Sequence, residues 1–213
     1  YKEIAFDHFY SRLDSTVKKI GAVNCILRNP DGRLSAVNTD GEGAVSALEA
    51  AVGIRKYKKA IVLGSGGTAK AVAAYLSPEL GFVESLCIAS RSKVPGLEVA
   101  ESCGADWLAW SDISVELPDV DLVVNCTTVG SQSDVHSSPL TETQLGMLAT
   151  SAIVYDVIYQ PTNTKLLQFS EAIGLLGLGG LGMNLEQAVI ACGKALGDSV
   201  PSNKIREIML TVG

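Results

Sequence analysis

Apolar residues along most of this chain occur either in short continuous runs or at helical spacings, and the two patterns alternate. Continuous runs typical of buried strands lie at 60–63, 85–89, 121–125 and 152–156. Helical patterns lie at 69–76, 97–103, 141–149 and 164–173. Because strands of a parallel sheet are continuously apolar and are covered by helices, this succession predicts an α/β fold with a parallel sheet.

The two ends of the chain carry other patterns. Apolar positions over 3–20 predict one or two short amphipathic helices, and the next segments, 23–27 and 33–37, flank an Asn-Pro-Asp-Gly turn and predict a hairpin. Asp40 stands where it could cap a helix from about Gly43 to Val52. After a Gly-rich stretch at 177–182, two further helices are predicted at about 183–196 and 202–211, the second starting after Pro201.

Composition and charge exclude several classes of protein. The 213 residues, 47% hydrophobic and 19% charged, describe a globular chain of one large domain or two modest ones. No apolar stretch approaches a membrane span and the first residues do not resemble a signal peptide, so we expect a cytoplasmic location without membrane contact. A net charge of −6 without a basic block argues against a nucleic-acid partner.

Cysteine and histidine usage gives no sign of a metal site. The 5 cysteines are widely spaced and odd in number, and the chain has only 2 histidines. Neither a disulfide framework nor a zinc site is predicted from this pattern.

The strongest local motif is a glycine-rich loop that matches G-x-G-x-x-A. It lies directly after the apolar run 60–63 and directly before the helix predicted at 69–76. In that setting the glycines allow a tight turn and a close approach of the backbone to a pyrophosphate, which the helix N-terminus attracts. The motif predicts a dinucleotide site, although a loop that only turns the chain would have the same composition. The predicted phosphate loop consists of Gly64, Ser65, Gly66, Gly67 and Thr68.

The end of the following strand indicates which dinucleotide binds. An NAD site usually has an acidic residue there for the ribose hydroxyls, whereas this chain has Ser90, Arg91, Ser92 and Lys93. Two cations and two hydroxyls suit a 2′-phosphate, and a guanidinium is well shaped to bind one. We therefore predict NADP as the cofactor, the alternative being a solvated basic turn.

Reduction of a ketone by hydride also needs a proton donor, and neither histidine is well placed for that role. Lys2 and Asp40 are possible as a pair, in which the carboxylate would hold the ammonium. Composition and spacing alone do not identify them, since most Lys and Asp residues are solvated.

Taken in order, the motifs of the chain resemble those of the shikimate dehydrogenase family. The resemblance covers almost the whole chain and rests on residues 1–3, 20–24, 38–41, 64–69, 90–92, 125–127, 155–159 and 180–183, with Gln187. It implies a Rossmann-type doubly wound parallel sheet for NADP at 41–183. An incomplete α/β substrate-binding domain would be formed by 1–40 and 184–213.

The resemblance also implies the reaction and the site residues. The reaction would be the reversible, NADPH-dependent reduction of 3-dehydroshikimate to shikimate in aromatic amino-acid (chorismate) biosynthesis. Lys2 would be the catalytic acid/base and Asp40 its partner, both contacting the substrate. The resemblance implies that substrate groups are bound by Asn24, Tyr159 and Gln187. It implies that the nicotinamide is lined by Val157, Gly180 and Met183.

On the residues alone, structural roles for Asn24, Tyr159 and Gln187 stay open. The family has a further segment before the position of Tyr1, including a serine pair that binds the substrate carboxylate, so we expect this chain to be a fragment or a truncated form. Two other functions remain as alternatives: a quinate/shikimate dehydrogenase using NAD, and a non-catalytic sensor of pathway ligands. A monomer or a homodimer is expected.

Overall fold

The computed structural model describes residues 2–13, 15–197 and 199–212, with the side chains of all of these except 2, 3, 12 and 212. The described helices are α1 (Lys2–Phe9), α2 (Ser15–Ile20), α3 (Asp40–Val52), α4 (Gly67–Leu76), α5 (Lys93–Cys103), α6 (Ile113–Glu116), α7 (Glu142–Leu145), α8 (Lys165–Ala172), α9 (Leu181–Leu196) and α10 (Ser202–Val212). The described strands are β1 (Cys25–Arg28), β2 (Leu34–Val37), β3 (Tyr57–Leu63), β4 (Val83–Ser90), β5 (Asp106–Ala109), β6 (Leu122–Asn125), β7 (Ile153–Asp156) and β8 (Leu176–Leu178).

Strands β3 to β8 form one six-stranded sheet in the order β5-β4-β3-β6-β7-β8, and every neighbouring pair is parallel. The chain leaves β3 toward β4 on one side and returns to β6 on the other, so the strand order reverses at β3. Open α/β sheets bind ligands at the carboxyl ends of the strands at such a reversal. The predicted α/β fold with a doubly wound parallel sheet is confirmed.

Helices cover both faces of the sheet. Successive strand residues point to opposite sides, so apolar side chains lie on both faces and need to be covered. On β3, Val62 packs in a cluster with side chains of α3, α4, α5 and α9, whereas its neighbours Ile61 and Leu63 pack with α6, α7 and α8. All three side chains are fully buried. Burial on both faces explains the continuous apolar runs in the sequence.

The N-terminal segment and the hairpin agree with the predicted pattern. Strands β1 and β2 pair antiparallel, with Cys25 opposite Val37. The turn between them is closed by the Gly32 N–H, which donates to the Asn29 carbonyl at 2.8 Å, and Gly32 has a φ of +82°. A small apolar cluster joins this hairpin to α1 and α2.

Three details of the predicted elements are wrong. Helix α3 begins at Asp40 itself, with Thr39 at its N-cap position, so Asp40 is a buried residue of the first turn and not the cap. Strands β5 and β8 were not predicted. The pattern at 141–149 yields only the single turn of α7, which is closed by a capping box between Thr141 and Gln144.

The C-terminal helices return to the sheet beside α3. Helix α9 packs closely on α3, where a Cβ atom at Gly43 would lie 2.7 Å from the Gln187 backbone nitrogen. Helix α10 is attached to α9 by Arg206, which donates from Nε and Nη2 to the Glu186 carboxylate at 2.6 and 2.7 Å. The division into 41–183 and the two flanking segments stays a prediction. Within the described part of the chain, no helix is long and apolar enough to span a membrane.

Candidate active site

The glycine loop connects β3 to α4 at the reversal point of the sheet. Gly64 has a φ of +111°, and a Cβ there would lie 3.3 Å from the Cys126 carbonyl, so this position needs glycine. At Gly66 a Cβ would meet nothing within 4 Å, so the backbone is open to a ligand. Within the described residues, no side chain caps α4 at Gly66. The first amides of this helix are therefore available to an anion.

A cavity of 260 Å³ lies over this loop. It is lined by Gly64, Ser65, Gly66, Ser90, Arg91, Ser92, Trp110, Cys126, Thr127 and Thr128. Six of the residues predicted to bind the cofactor are therefore in one place. Two other predicted residues, Gly67 and Lys93, are not among those described as lining this cavity. Gly67 begins α4. The Lys93 ammonium lies 5.5 Å from the centroid of the Trp107 ring.

A second cavity of 260 Å³ collects most of the other predicted residues. It is lined by Asp40, Thr68, Val157, Tyr159, Gly180, Met183, Asn184 and Gln187. Three of these positions were predicted to line the nicotinamide and three to bind substrate, and they come from segments far apart in sequence. Thr68, from the glycine loop, joins this second group.

Asn24 connects the substrate positions to one another without being described as lining the cavity. Its Nδ2 donates to Asp40 Oδ1 at 2.8 Å and to Thr39 Oγ1 at 3.0 Å, and it lies 3.4 Å from Gln187 Oε1. Its Oδ1 accepts the Thr39 N–H at 2.9 Å. Asn24 thereby orients the Asp40 carboxylate, which is only 3% exposed.

Lys2, the predicted acid/base, lies at the start of α1, and its side chain lies outside what the structure describes. Its role therefore stays a prediction. The described residues of the second cavity include one carboxylate, that of Asp40.

Asn184, Trp110 and Thr128 line the cavities and were missed from the sequence. Asn184 is one helical turn before Gln187 on α9 and accepts a hydrogen bond from Gln187 Nε2 at 2.9 Å, so the spacing of three residues could have revealed it. Trp110 lines the first cavity. No sequence pattern indicated this position, because the strand before it was not predicted.

A buried polar network beneath both cavities was also missed. The Asp156 carboxylate accepts hydrogen bonds from Thr164 Oγ1 at 2.6 Å, Asn125 Nδ2 at 3.0 Å and the Ile158 N–H at 3.1 Å. Asn125 Oδ1 in turn accepts from the Thr127 N–H and hydroxyl. Burial raises the pKa of the Asp156 carboxyl, and the three hydrogen bonds offset part of that rise. The network fixes the loops after β6 and β7.

The thiol of Cys126 lines the first cavity, where burial raises its pKa and the Asp156 and Asp40 carboxylates raise it further. The Cys126 side chain is therefore a protonated packing group. Among the described residues, no three His, Cys, Asp or Glu side chains are arranged to hold a metal ion.

A doubly wound sheet with an open glycine loop at its reversal point defines the class of dinucleotide-binding α/β proteins. Comparisons with known proteins narrow this class. A shikimate dehydrogenase (NADP(+)) of Symbiobacterium thermophilum is 37% identical over 190 residues, which cover 83% of this chain and 61% of that protein. The corresponding protein of Geobacillus kaustophilus is 32% identical over 216 residues, 98% of this chain and 75% of the relative.

A solved structure gives the same result. The crystal structure of shikimate 5-dehydrogenase from Thermus thermophilus, in complex with NADP(H) and shikimate, superposes with a TM-score of 0.77 at 31% identity and covers 94% of this chain and 73% of that one. No protein-family model matches the chain. The chain belongs to the shikimate dehydrogenase family, as the motifs predicted, and it spans 61% of the length of the Symbiobacterium relative.

Proposed function

We propose that this protein is a shikimate dehydrogenase that uses NADP to interconvert 3-dehydroshikimate and shikimate in chorismate biosynthesis. The observation that carries the proposal is the second cavity. There Asp40, Tyr159 and Gln187 meet the predicted nicotinamide positions at the carboxyl edge of the sheet, directly after the glycine loop. Its cytoplasmic location and its state as a monomer or a homodimer remain predictions from the sequence.

The first cavity fits the phosphates of NADP. Amides of the α4 N-terminus face the pyrophosphate position, and the exposed Arg91 guanidinium would bind the 2′-phosphate in two-pronged fashion. An acidic residue for the ribose hydroxyls of NAD is missing from the described lining of this cavity. This difference favours NADP over NAD and shikimate dehydrogenase over an NAD-dependent quinate enzyme.

The cofactor supplies the hydride for the ring carbonyl, and the chain must supply the proton. In this proposal the Lys2 ammonium gives its proton to the developing alkoxide oxygen, and the Asp40 carboxylate holds that ammonium in place. The Asn24 amide fixes the carboxylate through its hydrogen bond to Asp40 Oδ1. Tyr159 and Gln187 offer hydrogen bonds to the substrate hydroxyls or carboxylate.

The first test is steady-state oxidation with shikimate or quinate, each offered with NADP or NAD. We expect turnover mainly with shikimate and NADP. Arg91→Ala should raise the KM for NADP about tenfold or more with little effect on NAD, because only NADP carries the phosphate that Arg91 meets. Arg33→Ala removes an exposed arginine on the hairpin and serves as the matched control. Turnover with quinate and NAD would overturn the specificity.

Asp40→Asn tests the chemistry. The amide keeps an oxygen for the Asn24 hydrogen bond but loses the charge that holds Lys2, so we expect kcat to fall about 100-fold or more. Asp31→Asn, in the exposed hairpin turn, is the control. Unchanged turnover in Asp40→Asn would remove Asp40 from the mechanism, and ligand binding without turnover in the unsubstituted protein would favour a sensor.

A further inference from the structure

The segment 90–93, which carries the predicted 2′-phosphate group, is supported from behind by a tryptophan that the sequence did not single out. Trp107, on β5, donates its Nε1–H to Ser90 Oγ at 2.9 Å. The Ser90 hydroxyl in turn donates to the Ser92 carbonyl at 2.9 Å. Ser90 is only 3% exposed, so its hydroxyl is held between these two partners and does not depend on solvent.

Close packing of α5 strengthens this support. A Cβ atom at Gly96 would lie 2.1 Å from Ser90 Oγ and 2.5 Å from Trp107 Cδ1 and Nε1, so only glycine fits against the pair. The Gly96 N–H also donates to the Ser92 carbonyl, at 3.2 Å. The backbone on both sides of Arg91 is therefore fixed by a hydrogen-bonded chain that begins at the indole.

The same indole holds the second cation. The Lys93 ammonium lies 5.5 Å from the centroid of the Trp107 ring, within the range of a cation–π interaction. Arg91, between the two anchored serines, lines the first cavity. One side chain thus sets the backbone that presents Arg91 and holds the side chain of Lys93.

We propose that Trp107 is a positioning residue that gives the protein its preference for NADP over NAD, acting through Ser90, Arg91 and Lys93. The inference rests on the proposed use of NADP. The glycine loop that meets the pyrophosphate, common to both dinucleotides, has no contact with Trp107 among the hydrogen bonds described. A looser segment 90–93 should therefore weaken the bond to the 2′-phosphate and spare the rest of the binding energy.

The experiment measures dissociation constants for NADP and NAD by isothermal titration calorimetry. Trp107→Phe keeps an aromatic face for Lys93 but removes the N–H, Trp107→Leu removes both, and Ser90→Ala removes only the hydroxyl. We expect Ser90→Ala and Trp107→Phe to lower the ratio of NADP to NAD affinity about fivefold to tenfold, and Trp107→Leu to lower it further. The dissociation constant for NAD should change much less than that for NADP, because NAD lacks the 2′-phosphate that the segment 90–93 would bind.

Trp110→Phe is the matched control, since it makes the same chemical change three residues along the chain. Trp110 lines the cavity, so its loss should weaken NADP and NAD by one common factor. Circular dichroism checks the fold of each variant, and Ser90→Ala decides the matter if the tryptophan variants do not fold.

Two results would overturn different statements. An unchanged affinity ratio in Ser90→Ala and in the folded Trp107 variants, or an equal loss for both dinucleotides, would overturn the role of Trp107 alone. Failure of the unsubstituted protein to bind either dinucleotide would overturn the proposed function and the inference with it.

Discussion

Asp156 is the most deeply buried acidic side chain of the sheet edge, with no exposed surface. Its carboxylate joins the ends of β6 and β7 through Asn125, the Ile158 N–H and the Thr164 hydroxyl. Removing a partner from a buried charged group costs more than the hydrogen bond contributes on average. Both cavities therefore depend on a residue that lines neither.

The raised pKa of Asp156 predicts a pH dependence of stability. Because burial raises the pKa in the folded state above the ordinary value of about 3.9, the folded protein holds this proton more tightly than the unfolded chain. The contribution is complete below the ordinary pKa and is lost as the pH rises through the raised one. We expect the free energy of unfolding of the unsubstituted protein to fall, relative to Asp156→Asn, as the pH rises from about 4. Urea denaturation over a pH series measures this difference.

Thr164→Val sharpens the test. The Thr164 hydroxyl lowers the pKa of Asp156, so its loss should extend the pH-dependent fall to higher pH. Since Thr164 also caps α8 by accepting the Leu167 N–H, loss of the cap should lower the free energy of unfolding by a further amount of about 1 kcal/mol that does not change with pH. A difference between the unsubstituted protein and Asp156→Asn that does not change with pH would contradict the prediction.

The predictability of the site depended on what kind of contact each residue makes. Gly64 could be predicted because its tight turn restricts the residue type locally, and Gly66 because the motif keeps the backbone open to a pyrophosphate. Asp40 and Gln187 required the family resemblance, since no local pattern brings two residues so distant in sequence into one cavity. The bond between Asp156 and Thr164 could not be predicted, because it depends on the path of the loop between them.

At the scale of elements, the contact between α3 and α9 places Gln187 beside Asn24. A Cβ at Gly43 would lie 2.7 Å from the Gln187 nitrogen and 2.9 Å from its Cα, and neither backbone atom can give way alone. Gly43→Ala should therefore push α9 from α3 and lower the free energy of unfolding by about 1–3 kcal/mol. Chemical denaturation measures the loss.

Gly193→Ala is the matched control within α9. There the nearest atom to an added Cβ is Ile205 Cδ1 at 3.9 Å, an ordinary contact. Since alanine has a higher helix propensity than glycine, this variant should have a free energy of unfolding that is higher by up to about 1 kcal/mol. Equal effects of the two substitutions would show that helix propensity, and not the close approach of the helices, decides the result.

The elements missed from the sequence are those that tertiary pairing stabilises. Strands β5 and β8 lie at the two edges of the sheet, and each is paired on one side only. The β5 sequence begins with Asp106 and no residue of this strand is fully buried, so it lacks the continuous apolar run of a central strand. β8 has only three residues with a glycine in the middle. Such strands form because β4 and β7 offer them partners, which the local sequence does not encode.

At the scale of the whole molecule, two of the described cavities are larger than the two assigned to function. A groove of 670 Å³ runs beside β8, and Glu171 is the one charged residue among those described as lining it. Another of 680 Å³ lies between α3, α9 and α10, where three glutamates accompany Arg206, itself bound to Glu186. Neither suits an anionic dinucleotide, whereas the smaller cavity at the sheet edge offers helix amides and Arg91.

This contrast predicts where NADP protects the backbone from amide hydrogen exchange. Because the cavity at the reversal point is formed by the carboxyl ends of β3, β4 and β6, NADP should slow exchange together in 64–68, 90–93 and 126–128. The groove segment 162–179 and the hairpin 25–37 should exchange at unchanged rates. Mass spectrometry with and without saturating NADP measures all five segments in one experiment. Protection confined to 162–179 would place the dinucleotide in the groove beside β8. That result would contradict the argument from charge.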